Sequence, residues 1–178
     1  MALTSDIQKI RYGSLIDHQP IEYPIGKGAS GQTLYRGSVA AISGGTTVTQ
    51  GYLKNMATPA SNDLVVGIID NYGPSCGQPD SVPGLGGTTL NTADGVLTAR
   101  VATGTFLLLG GTGSDALTVT NVGTSVYLIN EDTVGATNGS SSRPVAGLLV
   151  QVPATDASIP TGFVAVQLGT AAGPWGGV

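Results

Sequence analysis

The sequence predicts an all-β fold, a small β-barrel or sandwich preceded by an extended N-terminal arm. Three observations carry that expectation. Glycine occurs 28 times in 178 residues, while Glu, Lys, Arg and Met, the strong helix formers, are scarce. Short apolar runs recur between Gly-rich turns, the spacing of a sandwich or barrel. Charged residues make up 10% of the chain, against about 25% in typical soluble domains, so Ser, Thr, Asn and Gly must form much of the surface. With 40% apolar residues, the chain has material for one domain with a proper core.

Residues 1–33 read as the arm. Ile7, Ile10, Tyr12, Leu15, Ile16, Ile21, Tyr23 and Ile25 follow neither a helical nor a sustained strand period. Pro20 and Pro24 favour an extended path. Disordered arms are usually depleted in Ile and Tyr, so this one is expected to order against a neighbouring surface.

Residues 34–168 read as the β-domain. Strands are expected over 34–42 (LYRGSVAAI) and, after a turn at 43–45, over 46–49. The continuous apolar run 64–70 (LVVGIID) predicts a strand buried on both faces, with Gly67 marking a bulge or a close backbone approach. Further strands are expected at 96–101, 105–109, 117–122 (LTVTNV, apolar alternating with Thr), 125–129, 145–150 and 163–168. Residues 71–91 hold three Pro and five Gly and read as a long surface loop that meets a partner. Residues 169–178 are a Gly-rich tail with the sole tryptophan, Trp175.

The motifs that carry chemistry fare poorly. Residues 26–31 (GKGASG) match G-x-G-x-x-G, but the dinucleotide reading needs a core strand before it and a helix after it. Here Pro24 precedes and strand-like residues follow, so a flexible turn is expected. His18 is the only histidine and Cys76 the only cysteine, which excludes an internal disulfide framework and a zinc site within one chain. Glu22 and Glu131 are the only glutamates, and the nine Asp fall mainly in turns. Calcium sites at 130–132 or around Asp115 lack the EF-hand spacing. Residues 138–140 (NGS) form a sequon that reads as a turn leading into Arg143. No catalytic residue, cofactor or metal is therefore expected, and the protein is not expected to be an enzyme.

A net charge of −4 with seven scattered basic residues offers no basic stripe, so nucleic acid is not an expected partner. No apolar run reaches membrane-spanning length. The first residues carry charges where a signal peptide needs an apolar stretch, so synthesis in a cytoplasm is expected.

The order of elements from residue 34 onward resembles a family of small tailed-phage virion proteins encoded near the major capsid protein. This family includes the capsid cement, or decoration, proteins. The resemblance rests on residues 35–40 (YRGSVA), 65–69 (VVGII), 96–104 (VLTARVATG), 123–129 (GTSVYLI), 143–149 (RPVAGLL) and 162–168 (GFVAVQL). It covers residues 34–168, and the 71–91 loop and the C-terminal tail depart from the shorter members. It implies a β-barrel or β-tulip-like domain on the outer surface of a phage head, made in a bacterial host cytoplasm. It also implies homo-oligomers, a trimer favoured, that clamp the major capsid protein and cement the lattice.

On that reading Ile7, Ile10, Tyr12, Ile21, Tyr23 and Ile25 are the expected capsid or subunit interface, with Trp175 as a tail anchor. Two alternatives stand beside it. One is a different virion component, a head fibre base or a tail-associated β-protein, which would share this composition. The other is a carbohydrate-binding β-sandwich, although such proteins display several aromatics as a stacking platform and aromatics here are only 5%.

Overall fold

A computed structural model describes residues 21–27, 34–45, 48–72 and 93–168. Among them are ten strands and two single 3-10 turns, with no α-helix. The strands are β1 (Ile21–Pro24), β2 (Val39–Ile42), β3 (Leu53–Lys54), β4 (Leu64–Tyr72), β5 (Thr98–Ala102), β6 (Gly104–Gly110), β7 (Ser125–Leu128), β8 (Thr133–Gly135), β9 (Val145–Gln151) and β10 (Phe163–Leu168). The all-β expectation holds, and the fold is a barrel joined to a sheet.

The C-terminal strands close a barrel in the order β10-β6-β8-β7-β9. The β6–β8 pair is parallel and the other ladders are antiparallel. Closure leaves this sheet no unpaired edge. Phe106, Leu108, Val126, Leu128, Val134, Ala146, Leu149, Val164, Val166 and Leu168 fill a core shared with the second sheet. Each large aliphatic there contributes about 1.5–3 kcal/mol through burial.

The second sheet is antiparallel throughout, in the order β1-β5-β4-β2-β3. One of its faces supplies Val39, Ala41, Val65, Ile68 and Ala102 to the shared core. Its other face carries Ala40, Val66, Ile69, Ala99 and Val101, covered by Ile25, Leu34 and Leu53. The sheet curls until its ends nearly meet. Ile25 forms a parallel bridge with Leu53, and the Gly26 N–H donates to the Leu53 carbonyl at 2.9 Å.

Strand β4 explains how one segment serves both faces. Ala41 pairs with Val65 and Ala40 with Gly67, so Val66 is an extra residue opposite no partner. This bulge reverses the alternation within the strand. Val65 and Ile68 therefore face the barrel, while Val66 and Ile69 face the other cluster. Gly67 adjoins the bulge and is itself a close approach, the two features its sequence context indicated. Its φ is +152°, and a Cβ there would lie 2.2 Å from the Ala102 carbonyl oxygen.

Several expected strands take another form. Of 34–42 only Val39–Ile42 is strand, because the Ser38 N–H and hydroxyl both return to the Tyr35 carbonyl, at 3.1 and 2.6 Å. Residues 48 and 49 lie outside strands, and the pairing falls later, at Leu53–Lys54. The expected strand at 117–122 contains a 3-10 turn, Val119–Asn121. There the Asn121 carboxamide oxygen accepts the Thr118 N–H at 2.9 Å, a local bond that competes with a ladder. Strand β4 extends two residues into the expected 71–91 loop. Residues 73–92 and the tail, 169–178, lie outside the described residues.

Gly67→Ala should cost about 2–4 kcal/mol, since the new methyl meets backbone rather than a flexible side chain. Gly113→Ala, at φ +62° with open space around it, should cost only about 1 kcal/mol. Urea unfolding of the two variants checks the ranking, and equal losses would refute the close approach at Gly67.

Candidate functional site

The expected interface residues have separate fates. Ile7, Ile10, Tyr12 and Trp175 lie outside the described residues, as do His18 and Cys76. Ile21 is exposed on β1, Tyr23 is half-buried against the inner cluster, and Ile25 is wholly buried within it. Ile25 therefore belongs to the chain's own core and offers nothing to an outside surface. Of the expected arm, residues 21–24 are a strand of the sheet, and residues 25–27 are bonded alongside it.

Five bonds hold that segment in place. The Ile25 N–H donates to the Leu97 carbonyl at 2.8 Å and the Gly95 N–H to the Ile25 carbonyl at 2.9 Å; Gly26 bonds Leu53 as above. The Lys27 N–H donates to Asp94 Oδ1 at 2.6 Å, and the Thr98 hydroxyl donates to Glu22 Oε1 at 2.5 Å. The Ile25–Leu97 bond fixes the phase of the ladder: odd residues of β1 turn their amides toward β5 and even residues turn outward. Pro24 thus stands where an outward N–H would be, which blunts this edge against strand addition. Gly26, the first glycine of the G-x-G-x-x-G match, is there for packing. A Cβ on it would lie 2.1 Å from Val48 Cγ1.

The largest group of exposed apolar side chains that sequence reasoning missed lies on the barrel. Val119, Val122, Val145 and Leu148 are between 36% and 54% exposed. Val145 pairs with Tyr127, and Leu148 with Ser125, across the β7–β9 ladder. Val122 immediately precedes Gly123, whose N–H donates to the Leu149 carbonyl at 2.8 Å, and its own N–H returns to Val119 at 3.2 Å. All four therefore sit on or beside one ladder. Residues 116–130 and 144–155, which build it, contain no Asp, Glu, Lys or Arg. The sequence signal was that absence of charge over two long stretches.

The described charged groups near the sheet ends are engaged in local bonds. Asp94 accepts the Lys27 N–H and also the Thr49 hydroxyl at 2.6 Å. These bonds, the Lys27 amide first, hold its carboxyl below the ordinary value of 3.8. Asp115 accepts the Arg143 guanidinium at 2.8 Å and the Thr137 hydroxyl at 2.5 Å, and Arg143 foremost lowers its pKa. A left-handed turn delivers Arg143: Gly139, Ser140 and Ser141 have φ of +57°, +57° and +66°, and the Arg143 N–H closes on the Asn138 carbonyl at 3.1 Å. In the other stretch weighed for calcium, Asn130 Oδ1 accepts the N–H groups of Asp132 and Thr133, each at 3.0 Å. Among the described residues no three His, Cys, Asp or Glu gather as metal ligands.

One charged pair is buried. Lys54 Nζ lies 2.8 Å from Asp63 Oδ2, with side-chain exposures of 1% and 0%. Lys54 also donates to the Thr58 carbonyl at 3.3 Å, while Asp63 accepts the N–H of Gly44 at 3.1 Å and of Ala60 at 2.8 Å. Burying two charges costs several kcal/mol per ion unless hydrogen bonds surround them, as these do. No helix among the described residues is long and apolar enough to cross a membrane.

No family model, curated protein or solved structure matches the chain.

Because its folded pKa is lowered, the Asp94 clasp contributes stability that is complete above the unfolded carboxylate value and is lost as pH falls through the folded one. The stability difference between the protein and Asp94→Ala should therefore be level from neutral pH down to about pH 5 and shrink below about pH 4. Denaturant titrations across that range test this, and a difference that grows in acid would refute the clasp.

Proposed function

We propose that this chain is a structural virion protein that docks on the outer surface of a phage head and cements the capsid lattice. In this reading it acts as a homo-oligomer, a trimer favoured, its partner is the major capsid protein, and it performs no reaction. The observation that carries the reading is the uncharged barrel face bearing Val119, Val122, Val145 and Leu148. Apolar side chains displayed together on a rigid ladder suit contact by shape and burial. Residues 1–20 precede the tethered edge strand and supply the second contact, with Ile7, Ile10 and Tyr12 as its anchors. Repeated attachment across a lattice multiplies modest single contacts.

The burial of Ile25 sets the boundary for a truncation test, since removing residues beyond 20 would take core and edge strand with it. Deleting residues 2–20 should leave the fold intact and sharply reduce decoration of expanded heads. Leu148→Asp should weaken head binding by roughly tenfold, about 1.4 kcal/mol, and leave the thermal midpoint nearly unchanged. Co-sedimentation with purified heads measures both, and copy number per particle separates a cement protein from a fibre or tail component. Undiminished binding by both variants would sink the proposal.

A further inference from the structure

We propose that Lys54 and Asp63 condense to an isopeptide bond, a covalent brace within this chain that is independent of what the protein docks onto. The two groups meet the requirements of amide formation. The amine lies 2.8 Å from the carboxylate, and both side chains are shielded from water, so the reverse reaction, hydrolysis of the amide, lacks its reagent.

The arrangement supplies the reaction's electrostatic needs as well. Each carboxylate oxygen of Asp63 already faces a backbone donor, Gly44 N–H on Oδ1 and Ala60 N–H on Oδ2. The Gly44 donor stabilises the negative charge that develops on Oδ1, the oxygen that remains on the tetrahedral centre. The step balances without an outside reagent. One proton passes from Nζ to Oδ2 along the existing hydrogen bond, and the freed amine lone pair attacks Cγ. The Cγ–Oδ2 bond then breaks, and Oδ2 leaves as water with a second proton from Nζ. Ammonium and carboxylate become one amide and one water.

The position gives the bond a mechanical purpose. Lys54 lies on the two-residue edge strand β3, Asp63 immediately precedes β4, and β2 lies between these strands. The amide would tie the shortest strand of the sheet across its neighbour. With a single cysteine in the sequence, no disulfide within the chain could do the same.

Intact-mass spectrometry of the denatured full chain decides the matter. The expected mass is lower than the sequence mass by one water, and Lys54→Arg restores the full value. Tryptic digestion should leave residues 37–100 as one peptide, uncleaved at Lys54 and lighter by one water, with an internal loop between Lys54 and Asp63 that suppresses backbone fragment ions from within it. Asp94–Gly95 can also lose water as a cyclic imide, and fragment ions that place the loss there would overturn the proposal. So would a wild-type chain at full sequence mass after prolonged incubation of the folded protein.

Discussion

The fold depends on a strand that is apolar on both faces. Val65 and Ile68 of β4 enter the core shared with the barrel, and Val66 and Ile69 enter the second cluster. A closed barrel covers only one side of such a strand. The other side must be covered by the chain itself, and Ile25, Leu34 and Leu53 do so. That requirement draws residues 21–25 onto the sheet and makes the sheet curl. It also explains the bulge: without the extra residue at Val66, strict alternation would place Ile68 and Val65 on opposite faces.

Much of this was legible in the sequence, and its failures share a cause. The runs at 64–70, 105–109, 145–150 and 163–168 became strands because continuous apolar segments bounded by turns have few other solutions. Strands β3 and β8, of two and three residues, are too short to show a period. The parallel β6–β8 pairing is a tertiary arrangement that no local pattern encodes. Residues 117–122 misled because Thr and Asn do two jobs: they alternate with Val as a half-buried strand would, yet their side chains cap a tight turn. Ile25 was read as outward-facing for a related reason. A single strand of four residues that follows Pro20 and ends in Pro24 looks like a free arm until its partner, β5, is known to lie some 75 positions later.

The candidate surface was less visible because it is defined by what is missing. Lys54 and Arg143 are paired with Asp63 and Asp115, and Asp94 fastens the end of β1. The ladder formed by β7 and β9 lies in stretches without any charge. A face of this kind has no long-range field to steer a partner and little to lose to salt. Attachment through it would depend on shape, apolar burial and the number of simultaneous contacts.

The two sheets differ in where they are weak. The barrel has no edge, so the proposed docking face rests on the part of the molecule least able to fray. The open sheet has two edges. One is β1, where Pro24 removes one of the outward amides and the residues that follow, Gly26 and Lys27, are bonded to Leu53 and Asp94. The other is β3, which has only two ladder pairs, Ala41 with Lys54 and Ile42 with Leu53. If residues 1–20 pull on a neighbouring subunit, the load enters at β1 and passes through the Ile25–Leu53 bridge to β3. The buried Lys54–Asp63 pair sits at that end of the path and anchors the shortest strand back to the start of β4. A tether attached to an open sheet needs its firmest side-chain link there, at the edge where backbone pairing is least.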